Sequence, residues 1–250
     1  MKPYTASVHG QEVVVDARLM RRGPVHLQQG DAGRASFGIR AFRLVLWAAF
    51  RLLFRVRVVG RAHLPRHPAI ICFNHLGWAE PFVVLLSFPV EPRIYVIGQA
   101  HVSEVSGFRH WLMDRLQILI PVDVSKPFQA LRTSESLFKR GGSLLISPEG
   151  HLGTREGDLQ PLQLGAAHAA ITVGVPIVPV GITGTRELWL RRTITVRVGP
   201  PLDPAAFPGA TRARVTALTA ALDQAMRALL PGDPAQPRFK PLRRLLTNLF

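Results

Sequence analysis

Ala69-Ile-Ile-Cys-Phe-Asn-His-Leu-Gly-Trp-Ala-Glu-Pro-Phe82 is the stretch that decides the fold: five small or apolar residues break into a polar loop and then into a helical run ending near Phe88. A short apolar run closed by Asn and Gly reads as a buried strand, and the residues beyond it as the next helix. Strand, loop and helix in that order are the repeating unit of an α/β domain, and the same alternation continues along the chain. Strands are expected at Val56–Val59, Ala69–Phe73, Arg93–Ile97, Ile118–Val122, Ser143–Ser147, Ile177–Gly181 and Ile194–Val198. Helices fit at 79–89, 103–115, 127–140, 162–173 and 211–229, with Pro and Gly as punctuation. No internal repeat is apparent.

Outside this alternation the chain changes character. Residues 1–36 are rich in Gly, Gln and charge, with one strand-like run at Val13–Val15, and read as a loose N-terminal extension. From Phe37 to about Arg55 the pattern becomes helical and gathers Arg40, Arg43, Arg51 and Arg55 within roughly 120°. Phe42, Leu46, Trp47, Ala49, Phe50 and Leu53 lie opposite them. Such a helix suits a membrane interface, with arginines at lipid phosphates and the apolar face in the acyl boundary. It equally suits a helix packed on the core with a solvated basic face. At the other end, 231–250 is a Pro-rich linker and a short basic, apolar tail, either a second membrane contact or a frayed end. The domain proper is therefore expected at 37–230.

Composition narrows the partners. With 250 residues and 47% hydrophobic content the chain can bury a sizeable core, and its 31 Lys+Arg against 16 Asp+Glu give a net charge of +15. A polyanionic partner follows, an anionic membrane or a nucleic acid. The arginines are scattered without interleaved aromatics, so no nucleic-acid partner is expected. Cys72 is the single cysteine, which rules out a disulfide framework or a cysteine-ligated metal and leaves it a packing role. The first thirty residues lack a signal-peptide core, and no run approaches about 18 uninterrupted apolar residues, so an intracellular chain without a spanning helix is expected.

Two strand-end loops could carry chemistry. In the first, His75 and Glu80 can face each other if the loop folds back at Gly77. Glu80 would then hold one imidazole nitrogen and leave the other to accept a hydroxyl proton. A solvated loop histidine beside a helix-capping carboxylate would look the same in sequence. The second, Ser143 to Gly157, offers a Gly-rich turn and the Arg155 guanidinium, a fork that matches phosphate. It lacks the Lys-Ser/Thr ending of a nucleotide-binding loop.

Taken together, the segments resemble the glycerolipid acyltransferase family, which includes 1-acylglycerol-3-phosphate acyltransferases and lysophospholipid-acylating relatives. The resemblance covers about residues 40–200. Asn74-His75-x4-Glu80 matches the family's Asn-His-x4-Asp, with Glu for Asp, and Ser147-Pro148-Glu149-Gly150 matches Phe-Pro-Glu-Gly, with Ser for Phe. Val175 to Val180 matches the Val-Pro-Ile-Val-Pro-Val strand in full. Departures are Asp123-Val124 in place of Asp-Arg, with Lys126 the nearest cation, and Thr154-Arg155 three residues later than usual. The resemblance implies one α/β domain with a central mixed sheet flanked by helices, preceded by a basic amphipathic helix. It implies an O-acyltransferase using acyl-CoA or acyl carrier protein and a lysolipid acceptor, without cofactor or metal. His75 and Glu80 would be catalytic, and Asn74, Glu149, Gly150, Arg155 and Lys126 would bind substrate. Peripheral attachment to the cytoplasmic face of the cell membrane is expected. The alternatives are a non-phosphate lipid acceptor, such as a lyso-aminolipid or glycolipid, and a non-catalytic membrane-binding relative.

Overall fold

In the computed structural model, which describes residues 4–8, 11–15, 33–99, 119–122, 134–231 and 239–248, the strands are β1 (Tyr4–Val8), β2 (Gln11–Val15), β3 (Arg55–Val59), β4 (Ile70–Phe73), β5 (Ile94–Gln99), β6 (Leu119–Val122), β7 (Ser143–Ile146), β8 (Ile177–Thr183) and β9 (Thr193–Val198). The helices are α1 (Phe37–Leu53), α2 (Ala79–Ser87), α3 (Gly165–Val173), α4 (Thr211–Ala228) and α5 (Arg243–Thr247). A further helical stretch covers 134–139. The expected helix at 103–115 lies outside the described residues, as does part of that at 127–140.

Seven strands form one sheet in the order β3-β9-β8-β4-β7-β5-β6. The strands from β8 to β6 are parallel, β9 runs against β8, and β3 is parallel to β9. The sheet is thus mixed. β4 sits at its centre and is buried throughout, and its side chains alternate between two cores as a pleat requires. Ile71 and Phe73 join Phe50 and Phe54 and the α2 residues Phe82, Val83 and Leu86 on one face. Ile70 and Cys72 join Ala166 and Ala170 of α3 and Leu218, Leu222 and Met226 of α4 on the other. Cys72 is fully buried there, and desolvation raises its thiol above the ordinary value. Its role is packing.

Three expectations change. The extension before α1 is not wholly loose, since β1 and β2 pair as an antiparallel hairpin with Tyr4 opposite Val15. On α1, the face assigned to membrane is largely turned inward: Phe50 is buried, and Phe42, Leu46 and Leu53 pack on the core. The arginine stripe also has partners in the segment after α2, Arg43 donating to the carbonyls of Phe88 and Pro89 and Arg40 to Glu91. Apolar residues nevertheless remain outside, namely Phe37, Leu44, Val45, Trp47 and Leu52. Last, the tail is not frayed. Leu246 is 3% exposed, Thr247 Oγ1 bonds both the N–H and the carbonyl of Leu188 at 3.0 and 3.1 Å, and Leu190 N–H donates to Pro241 at 2.9 Å. No helix among the described residues is long and apolar enough to cross a membrane.

Candidate active site

β4, β7 and β8 lie side by side and parallel, so the loops leaving their carboxyl ends converge. That edge of an open α/β sheet is where side chains can meet without interrupting the core. His75 follows β4, and the Nδ1 of its ring lies 3.0 Å from Glu80 Oε2 in the first turn of α2. Glu80 is 0% exposed. The same Oε2 accepts the Gly77 N–H at 2.9 Å, so the loop does fold back at Gly77. In the tautomer that donates from Nδ1 to this carboxylate, the ring's lone pair is on Nε2. Nε2 has no protein partner among the described residues, and the histidine side chain is 29% exposed. The ring rests against Phe73, centroid to centroid 5.5 Å, which limits its swing.

Behind the dyad, three buried polar side chains hold backbone rather than substrate. Asn74 is 0% exposed. Its amide donates to the Ile182 carbonyl at 2.9 Å and accepts the Ile182 N–H at 2.7 Å, tying the loop to β8. Asn74, expected among the substrate-binding residues, holds the β8 backbone with both ends of its amide. Glu149, 2% exposed, accepts the His75 N–H at 3.0 Å and the Gln160 N–H at 2.9 Å. Desolvation raises its carboxyl above the ordinary range, opposed by those two amides and by the His151 and His75 rings. Glu149 too is a positioning residue in this arrangement. Glu156, which the sequence did not single out, accepts the Gly184 N–H and, at 3.1 Å, the Arg186 N–H.

Glycine enters where the turns need it. Gly150 has φ of +75° and closes the turn 147–150, its N–H reaching Ser147 at 3.4 Å. Gly184 has φ of +96°, and a Cβ there would fall 2.3 Å from the Thr193 carbonyl oxygen, so the β8 turn tolerates no side chain.

Arg155 stands at the outer edge, its side chain 81% exposed and 3.7 Å from Asp158. It lines a basic cleft shared with the carboxyl-terminal segment. Lys126 lies outside the described residues. The residues sequence reading missed are Glu156, Arg186 and the tail's Lys240, Arg243 and Arg244, which no local spacing connects. Trp78 Nε1 donates to the Leu246 carbonyl at 3.1 Å and so links the dyad loop to that tail. Among the described residues no cluster of His, Cys, Asp and Glu could hold a metal ion.

Fold and dyad together define a mixed-sheet α/β protein with a histidine–carboxylate pair at its strand ends. A model of the Acyltransferase family matches residues 55–183, just over half of the chain, and the chain belongs to that family, within the glycerolipid acyltransferases. It is 29% identical over 152 residues to a 1-acyl-sn-glycerol-3-phosphate acyltransferase of Limnanthes douglasii, an alignment covering 58% of this chain and 51% of that protein. It is 27% identical over 183 residues to the enzyme of that name from Bacillus subtilis (strain 168), covering 70% and 87% respectively. The chain thus spans about half the length of the plant relative and most of the bacterial one. The fold is similar to the crystal structure of the 1-acyl-sn-glycerophosphate acyltransferase PlsC from Thermotoga maritima, with a TM-score of 0.61, 20% identity, and coverage of 76% of this chain and 78% of that one.

Proposed function

We propose that the protein is an O-acyltransferase of phospholipid biosynthesis, moving a fatty acyl group from acyl-CoA or acyl carrier protein to the hydroxyl of a 1-acylglycerol-3-phosphate-like lysolipid. The single observation that carries the reading is the His75–Glu80 pair, with Nδ1 engaged and Nε2 without a protein partner among the described residues. Nε2 removes the acceptor's hydroxyl proton as its oxygen attacks the thioester carbonyl. Glu80 keeps the productive tautomer and stabilises the imidazolium that forms. Collapse of the tetrahedral intermediate expels the thiolate, which takes the proton back from His75, leaving ester and free thiol. Base, nucleophile and leaving group come from His75 and the two substrates, so the step calls for no metal or redox cofactor. The extra methylene of Glu80, relative to Asp, is accommodated by bonding both Nδ1 and the Gly77 amide.

Attachment to the cytoplasmic face of an anionic membrane belongs to the same reading. Its support is the exposed apolar set on α1, Leu44, Val45 and Leu52, interspersed with arginines, and a second set on the tail, Phe239, Leu242 and Leu245. Both sets flank one loop, because Arg191 N–H bonds Leu53 and Leu190 N–H bonds Pro241. Apolar residues beside cations are what an interfacial surface requires.

The test incubates the protein with acyl-CoA or acyl carrier protein and a panel of lysolipids, and follows new ester lipid by mass. Phosphatidate-type product from a phosphate-bearing lysolipid supports the reading. Product only from phosphate-free acceptors, indifferent to Arg155→Glu, would replace that acceptor with an aminolipid or glycolipid.

A further inference from the structure

Beside the dyad loop, between residues 155–156, the 186–187 turn and the end of the chain, lies a cleft of about 470 Å³, within the size range of small-ligand sites. Five cationic side chains line it, Arg155, Arg186, Lys240, Arg243 and Arg244, against the carboxylates of Glu156 and Glu187. Both carboxylates are already engaged. Glu156 holds the backbone amides of Gly184 and Arg186, and Glu187 accepts from Lys240 and, at 3.0 Å, from Arg243. Among the described residues Arg186 gives its Nε to the Thr154 carbonyl, at 2.9 Å, and its terminal nitrogens remain for a ligand. A concave surface with surplus guanidinium groups concentrates anions, and a guanidinium fork matches phosphate oxygens two at a time.

The cleft adjoins the dyad through covalent and hydrogen-bonded neighbours. Gly153, two residues before Arg155, donates to the His75 carbonyl at 2.7 Å. On the other wall, Leu246 accepts from Trp78, and Leu246 is two residues from Arg244. The tail is held in this place by its buried Leu246 and by the Thr247–Leu188 bonds.

We propose that the carboxyl-terminal segment 240–248 completes a phosphate-binding subsite in this cleft, which seats a phosphate group of one substrate while His75 acts on the other end of the reacting pair. The proposal rests on the acyl-transfer reading above. The phosphate can belong to the lysolipid headgroup or to the nucleotide part of acyl-CoA, and the same set of assays separates them.

Arg186→Ser and Arg244→Ser are assayed in the full chain with lysophosphatidate and its phosphate-free monoacylglycerol counterpart, and with acyl-CoA and acyl-pantetheine. Losing one charged contact is expected to raise KM about tenfold for the phosphate-bearing partner, with kcat little changed. A rise confined to lysophosphatidate assigns the headgroup, and one confined to acyl-CoA assigns the nucleotide. A second arm reads binding without turnover: inorganic phosphate should raise the thermal midpoint of the wild type and do so less in either variant, with Arg244→Lys keeping part of the shift. Unaltered KM for all four substrates together with an unaltered phosphate shift would overturn the subsite, even if turnover requires His75. A phosphate shift lost in the variants of a chain that forms no ester would keep the subsite and sink the acyl-transfer reading instead. Melting curves without ligand identify a variant that has merely unfolded, and Arg244→Lys then carries the test.

Discussion

The dyad loop and the basic cleft are neighbours built on opposite plans. Around His75 the supporting carboxylates, Glu80 and Glu149, are buried and bonded to main-chain amides. Around the cleft, Glu187 is partly exposed and bonded to the flexible ends of Lys240 and Arg243. Proton transfer needs atoms held within hydrogen-bond reach, and short bonds to backbone in a dry setting supply that rigidity. Recognition of a charged group tolerates movement, and long cationic side chains can follow the ligand. The pH responses should differ in sign as well. Burial raises the Glu149 carboxyl, whereas the bond from Lys240 lowers that of Glu187.

The comparison is broken most severely on the dyad side. Glu80→Gln keeps the shape but replaces an obligate acceptor with an amide, so Nδ1 loses its fixed role; kcat should fall by about 10²-fold or more, and Glu80→Asp should recover a large part. Turnover kinetics at saturating substrate read this directly. Next, Glu149→Ala leaves the amides of His75 and Gln160 without acceptors. A cost of roughly 2–4 kcal/mol in unfolding free energy is expected from two orphaned amides, measurable by urea denaturation, and kcat should fall with it.

The smallest effect belongs to the cleft. Because its folded-state carboxyl is depressed, Glu187 stabilises the docked tail above the ordinary Glu range, and that contribution is lost as pH falls through the folded value. Amide exchange at 243–248 should therefore be faster in Glu187→Gln than in the wild type at neutral pH, and the two should converge as pH falls through the depressed folded value. Glu149 carries the opposite sign. Its raised carboxyl favours the protonated form, so the stability it lends below the unfolded value is lost as pH rises through the folded one. Equal exchange of the tail in both proteins at neutral pH would mean that the Glu187 pairs hold nothing.

How far each region could be read from sequence follows from the same contrast. All seven strands of the main sheet were legible, because a buried strand must be an apolar run bounded by turns. The dyad pairing was legible because its members sit five residues apart, His75 in the loop after β4 and Glu80 in the first turn of α2. That Asn74 and Glu149 hold backbone was not legible, since only their partners on β8 and at His75 and Gln160 reveal it. For α1 the sequence leaves two readings open, because a purely local period cannot tell an inward face from a lipid face; Phe50 lies in the core while Leu44 and Leu52 remain outside. Least legible was the cleft. Arg155, Arg186 and Arg244 are brought together by a tail that docks through Leu246 and Thr247, and nothing at their own positions announces it.

The central claim is that His75 is the base for acyl transfer. The most direct test measures ester formation by the wild type and by His75→Ala side by side, with the same acyl thioester and lysolipid and a melting curve for each. The account predicts matching melts and a loss of turnover of about 10²–10⁴-fold. Equal turnover by the two proteins would contradict it.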